Sequence, residues 1–179
     1  AMTAPFTEGE ERMAVRAMNR NSSPGPDGFG PGFYAAAWHV AVPTVMAFAE
    51  AFQARTVDLE RLNRAYIIML PKHQAALKPG DYRPICMQNC SLKIVAKMLT
   101  TRLQVEIPNL IDLDQTSFIK GRSISENFIY AVELVQCCHH RKIPTLVLRL
   151  DFAKAFDSVD WGSLDRVLAV RGFTPTWRS

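Results

Sequence analysis

Apolar positions along the chain switch between a helical period and a strand-like run, and the switches mark its elements. Thr7 and Glu10 stand at the spacing of a capping box, which opens a helix over residues 8–19. The stretch from Asn21 to Pro31 holds too many prolines and glycines for a helix or strand interior. By composition alone it reads as a linker. Residues 32–55 carry an apolar stripe through Phe33, Tyr34, Trp38, Val42, Met46 and Phe48, which Pro43 should break or kink.

Tyr66-Ile67-Ile68-Met69-Leu70 predicts a strand, ended by Pro71. A polar loop then closes at Pro79-Gly80-Asp81, and Tyr82 to Met87 forms the returning strand of a hairpin with a long basic tip. Residues 91–107 predict a helix with Leu92, Val95, Leu99 and Leu103 on one face and Lys93, Lys97 and Arg102 elsewhere. Pro108 should stop it. Ser123 and Glu126 make a second capping box, for a helix over 124–140. An apolar strand, Leu146 to Leu150, then runs into Asp151, and a closing helix extends from an Asp160 cap to a Gly172 stop. The fold class this predicts is α+β, with helices packed on a small antiparallel sheet.

The hydrophobic share of 48% supports a packed core, and the net charge of +4 points only weakly to an anionic partner. Where the charge lies says more. Residues 1–60 hold four Lys/Arg against seven Asp/Glu, residues 61–104 hold eight against one, and residues 105–179 hold nine of each. A basic block inside an ordered, partly apolar region suits a phosphate-facing surface, and suits equally a solvated helix face. Cys86, Cys90 and the run Cys137-Cys138-His139-His140 raise the question of zinc. Their spacing fits no tetrahedral site, and adjacent pairs on a helix point to different sides, so free thiols in a reducing compartment are the better reading. No apolar run approaches the ~20 residues of a membrane span, and the polar, acidic N-terminus does not read as a signal peptide.

The segment from Leu148 to Trp161 contains Asp151-Phe152-Ala153-Lys154-Ala155-Phe156-Asp157, and it closely resembles motif A of the reverse transcriptases of non-LTR (LINE-type) retrotransposons. Four further elements stand in that family's order. Ser23-Pro24-Gly25-Pro26-Asp27-Gly28-Phe29 is similar to its extra N-terminal motif, and Leu70-Pro71-Lys72 to an element of the first fingers strand. Asp81-Tyr82-Arg83-Pro84-Ile85, with Asn89, Lys93 to Lys97, and Arg102-Leu103, is similar to the second fingers motif. Gln115-Thr116-Ser117-Phe118-Ile119, with Gly121-Arg122-Ser123 and Asn127, is similar to the next. Five motifs in order are far more specific than any one. Ser117 stands where the family usually has Gly, which puts the loop backbone in doubt there, and Cys86-Met87-Gln88 replaces a more usual Ser-Leu run.

The resemblance implies a partial right-hand polymerase fold. Residues 1–60 would be an N-terminal helical extension, 61–143 a fingers-like region, and 144–179 the first part of the palm. It implies Asp151 as catalytic metal ligand, joined by the Phe152 carbonyl, and Mg²⁺ as the ion. It implies Lys72 and Arg83 on the incoming triphosphate, and Phe156 as the aromatic that excludes ribonucleotides. Arg binds phosphate bidentately and Lys as a point charge, so a cationic pair suits that task. Lys93, Lys97, Arg102, Gln115 and Arg122 would face nucleic acid, with Gln115, Arg122 and Asn127 open to a fold-supporting role instead. Asp160 and Asp157 read as a helix cap and a turn residue.

No Tyr/Phe-x-Asp-Asp follows motif A before Ser179, so one of the carboxylates a two-metal site needs is present. The expectation is therefore a reverse transcriptase portion that does not polymerise alone and holds Mg²⁺ poorly. Two other readings stay open: a catalytically dead RNA- or DNA-binding fragment, and a domesticated module that binds a host or pathogen protein. The expected partners are an RNA template or RNA–DNA hybrid, and a protein or second copy at the edge of strand 146–150, with no membrane. The compartment is intracellular, with nucleus and cytoplasm both open.

Overall fold

The structure, a computed structural model, describes residues 2–178. Its elements are α1 (Glu8–Ala17), α2 (Pro31–Ala36), α3 (Trp38–Gln53), α4 (Leu59–Leu62), β1 (Tyr66–Pro71), β2 (Tyr82–Met87), α5 (Cys90–Leu110), α6 (Ile124–His140), α7 (Trp161–Val170) and α8 (Pro175–Arg178). A single 3₁₀ turn, Pro79–Asp81, leads into β2. Helices with one small antiparallel sheet are the α+β class that the hydrophobic pattern predicts. The chain forms two compact units, one over Thr3–Arg102 and one beginning at Leu103.

In the first unit, Thr7 and Glu10 form the expected reciprocal box at the start of α1, with the Glu10 N–H donating to Thr7 Oγ1 at 3.3 Å. The helix ends at Met18, slightly before the predicted limit. The predicted break at Pro43 falls elsewhere. Helix α3 continues through Pro43, and the chain turns instead at Ala37, between α2 and α3. Pro43 and His39 both lie on the exposed side, so the His39 carbonyl that loses its partner remains open to water. Ala41, Val45 and Ala49 face inward and meet Val15 of α1 together with Ile94 and Met98 of α5 in one core. Side chains of α1, α3 and the start of α5 therefore share one core.

The buried stripe of α5 is Cys90, Ile94, Val95 and Met98, a rotation away from the predicted Leu92, Val95, Leu99 and Leu103. Pro108 does not stop this helix, which runs to Leu110, since a proline in the last turn removes only one terminal bond. Strands β1 and β2 pair as predicted, with Leu70 opposite Arg83 and Pro71 opposite Tyr82. All of β1 is exposed, so the hairpin is held by its own ladder and its tip.

The second unit buries little, with Thr116 and Phe173 its buried side chains among the described residues. Helix α6 covers the predicted span, but Ser123 caps it through the Ser125 N–H at 3.3 Å rather than through a box with Glu126. Asp160 caps α7 as expected, accepting from the Ser163 N–H at 2.6 Å. The predicted strand over 146–150 is not formed. Those residues are irregular and exposed, Leu146 at 91%. An apolar run becomes a strand only when a neighbour pairs its backbone, and no described strand lies beside this one. The expected edge at 146–150 is therefore an exposed apolar segment instead.

Candidate nucleotide and nucleic-acid site

The hairpin tip is built around Asp81. Its Oδ2 accepts the N–H groups of Lys78 at 2.9 Å and Leu77 at 3.1 Å, and these bonds, that of Lys78 first, hold its carboxyl below the usual range. His73 Nε2 stands 3.7 Å from its other oxygen, and Tyr82 Oη donates to the Ala76 carbonyl at 3.2 Å. The Lys72 N–H donates to the Asp81 carbonyl at 2.8 Å, and Lys72 Nζ to the Gly80 carbonyl at 2.6 Å. Lys72 therefore continues the register one step past Pro71–Tyr82. By the alternation of strand side chains, Lys72 and Arg83 share one face of the ribbon as diagonal neighbours. This brings together the two residues that the resemblance assigns to a triphosphate.

The basic residues of α5 diverge. Lys93 Nζ donates to the Ser23 carbonyl at 3.3 Å, and Lys97 is half-buried. Arg102, expected to face nucleic acid, turns inward. Its Nε and Nη2 meet both Glu10 oxygens at 2.7 and 2.8 Å, while Nη1 and Nη2 also donate to the carbonyls of Ala4 and Pro5. The guanidinium lies 4.5 Å from the Phe6 ring centroid. A planar fork with this many donors satisfied inside the fold is a tie between α1 and α5.

In the second unit, Gln115 and Arg122 also bond inward. Arg122 donates through Nη1 to the carbonyls of Asp112 and Gln115, and through Nη2 to that of Ile111 at 3.3 Å. Gln115 Nε2 donates to the Ser117 carbonyl at 3.2 Å, and Asn127 Nδ2 to the Asp114 carbonyl at 2.8 Å. These three side chains knit the loop between α5 and α6. The left-handed conformations there fall on Phe118 and Gly121, beside Ser117 rather than at it.

Asp151, Phe152 and Phe156 lie on an exposed irregular segment that turns through Lys154 at φ 51°. The Asp157 and Ser158 N–H groups both donate to the Lys154 carbonyl at 3.0 Å, which sets the turn. The Phe156 ring stands 6.3 Å from Phe118 at 85°, an edge-to-face pair that sequence reasoning did not anticipate. Asp151 offers a carboxylate suited to a hard cation, but no group of three or more His, Cys, Asp or Glu converges among the described residues. The donor set among the described residues does not make a two-metal centre. Cys86, Cys90, Cys137 and Cys138 are free thiols. No helix is long and apolar enough to cross a membrane among the described residues.

Residues 70–179 match the family model of reverse transcriptase (RNA-dependent DNA polymerase). The chain belongs to that family. It is similar to the Transposon TX1 uncharacterized 149 kDa protein of Xenopus laevis, 31% identical over 175 residues, covering 97% of this chain and 13% of that protein. It is also similar to retrovirus-related Pol polyproteins of two retrotransposable elements. The R1 protein of Bradysia coprophila is 24% identical over 84% of this chain and 15% of its own length. The R2DM protein of Drosophila melanogaster is 24% identical over 91% of this chain and 15% of its own length. By ancestry this is LINE-type reverse transcriptase sequence, spanning about one-seventh of these relatives.

Proposed function

We propose that these residues form the fingers and the beginning of the palm of a LINE-type reverse transcriptase, and that the β1–β2 tip binds the phosphates of a nucleotide or nucleic acid. The observation that carries this reading is the shared face of Lys72 and Arg83 on a tip ordered by Asp81. Two cations on the same face of one hairpin add their attractions for phosphate oxygens. Lys97, half-buried on α5, adds to the positive field. Asp151 is proposed as one metal ligand of a site that needs further carboxylates, with Phe152 and Phe156 beside it in sequence.

The test is fluorescence anisotropy of labelled RNA and of an RNA–DNA hybrid at low and moderate salt. Lys72→Ala/Arg83→Ala should weaken binding about tenfold and flatten the salt dependence by the two lost phosphate contacts. Equal affinity in the double variant would remove the hairpin from the site. A second expectation concerns catalysis. The purified 179-residue chain with Mg²⁺ and a primed RNA template should incorporate no deoxynucleotide, because no group of three or more His, Cys, Asp or Glu converges at Asp151 among the described residues. Primer extension by this chain that is lost in Asp151→Ala would overturn that.

A further inference from the structure

The Pro/Gly-rich stretch, which composition alone makes a linker, is instead packed against the corner where β2 enters α5. A Cβ on Gly25 would stand 2.4 Å from the Gln88 carbonyl carbon and from Asn89 N, so the backbone of Gly25 lies flush on that peptide and only glycine fits. The Asp27 N–H donates to Asn89 Oδ1 at 3.2 Å, and Lys93 Nζ donates to the Ser23 carbonyl. Asn89 immediately precedes the first residue of α5, where an Asn usually caps its own helix. Here its oxygen holds the loop. The loop is itself rigid: the Gly28 N–H donates to the Gly25 carbonyl at 3.1 Å, and the Phe29 N–H to Asp27 Oδ1 at 3.0 Å. The Asp27 carboxylate lies near enough to Cys90 and Tyr34 to add to the burial that pushes the thiol up to about 11 and the phenol up to about 12. A negative group at the positive end of α5, with Lys93 one turn on, is favourably placed.

Three attachments therefore land on Gln88, Asn89 and Lys93, the hinge between the hairpin and its supporting helix. The hairpin has little else to fix it, since every residue of β1 is exposed. We propose that the Ser23–Phe29 loop is a bracket that sets the orientation of the β1–β2 hairpin on α5, making Gly25 and Asn89 positioning residues for the Lys72/Arg83 face. The orientation stands on the geometry alone; its consequence for binding rests on the function proposed above.

The experiment is to measure residual dipolar couplings of the full chain as wild type, Gly25→Ala, Asn89→Leu and Asn89→Asp. The orientation of the β1–β2 amide vectors would be compared with that of the first turns of α5, and RNA affinity measured alongside. Gly25→Ala and Asn89→Leu should turn the hairpin as a block and weaken RNA binding roughly three- to tenfold. Asn89→Asp keeps the acceptor for the Asp27 N–H and should retain both wild-type values. If Gly25→Ala fails to fold, Asn89→Leu against Asn89→Asp decides. A hairpin that keeps its wild-type orientation when the bracket is cut overturns the proposal, however tightly the wild type binds. A hairpin that turns in a protein with no RNA affinity upholds the bracket and overturns the reading of the hairpin as a phosphate site.

Discussion

Replacing Arg102 with Met should destabilise the first unit by about 2–3 kcal/mol while leaving RNA affinity and its salt dependence unchanged. The aliphatic stem survives the change, so the packing loss is small and the loss measures the guanidinium. Arg102 donates to both oxygens of Glu10 and to two backbone carbonyls near the N-terminus, and its side chain is 10% exposed. Removing one partner of a largely buried pair leaves the other desolvated, typically at 3–5 kcal/mol; the partial exposure of Glu10 argues for less. Arg102→Lys keeps the charge but not the fork, and should recover less than half. The measurement is urea denaturation followed by hydrogen exchange at α1 and α5 amides, with anisotropy on RNA in parallel. Wild-type stability together with a shallower salt slope would restore Arg102 to the nucleic-acid surface.

The same pair gives a pH signature. Arg102 first, and then the Thr7 backbone bond, hold the Glu10 carboxyl below its ordinary 4.5 against an opposing contribution from burial. A group whose folded pKa is depressed contributes in full above its unfolded pKa and loses the contribution as pH falls through the folded one. The stabilisation from Glu10 is thus complete at pH 5 and above, and is lost on acidification below about 4.5.

The boundaries and caps of most elements were legible because they depend on local chemistry. The Thr7–Glu10 box, the Asp160 cap, the hairpin and the span of α6 all follow from residues within a few positions of one another. What depends on distant partners was not legible. Arg102 has the sequence surroundings of a surface cation on a basic helix, and nothing near it announces a carboxylate 92 positions earlier. The α5 stripe differs from the expected one because Cys90 and Met98 complete a four-residue repeat with Ile94, while the leucines lie on the neighbouring face. Segment 146–150 has strand composition, but pairing is not a property of a segment alone. The Pro/Gly stretch shows the reverse: its composition forbids regular structure, yet among the glycines Gly25 is the one where an added Cβ would come nearest another backbone. The hairpin that carries Lys72 and Arg83 is legible from the composition of its strands, whereas the bond from the Asp27 N–H to Asn89, 62 positions on, is not.

Glu11→Gln should raise stability at pH 8 by about 2 kcal/mol and abolish a pH dependence that the wild type shows between pH 5 and 7. Glu11 lies on the inner face of α1 with Ala14 and Val15, 0% exposed, and neither carboxylate oxygen has a hydrogen-bond partner among the described residues. Burial first, and the charge of Glu8 second, push its carboxyl up to about 7 from 4.5. Below pH 4.5 the folded and unfolded states are both protonated and the group costs nothing through ionisation. Between 4.5 and 7 the unfolded chain releases its proton while the folded one keeps it, so stability falls as pH rises, by about 1.4 kcal/mol per unit. Above pH 7 the loss levels off at about 3–4 kcal/mol as an upper figure, and glutamine recovers part of it because a buried amide still wants partners. Urea midpoints at pH 5 and pH 8 decide the matter: equal wild-type values would mean that Glu11 is ionised and paired in solution. The neighbouring glutamates on α1 thus act in opposite directions. Glu10 loses its contribution below about 4.5 and Glu11 imposes its cost above it, so the first unit should be most stable near pH 5, on the acid side of the usual range.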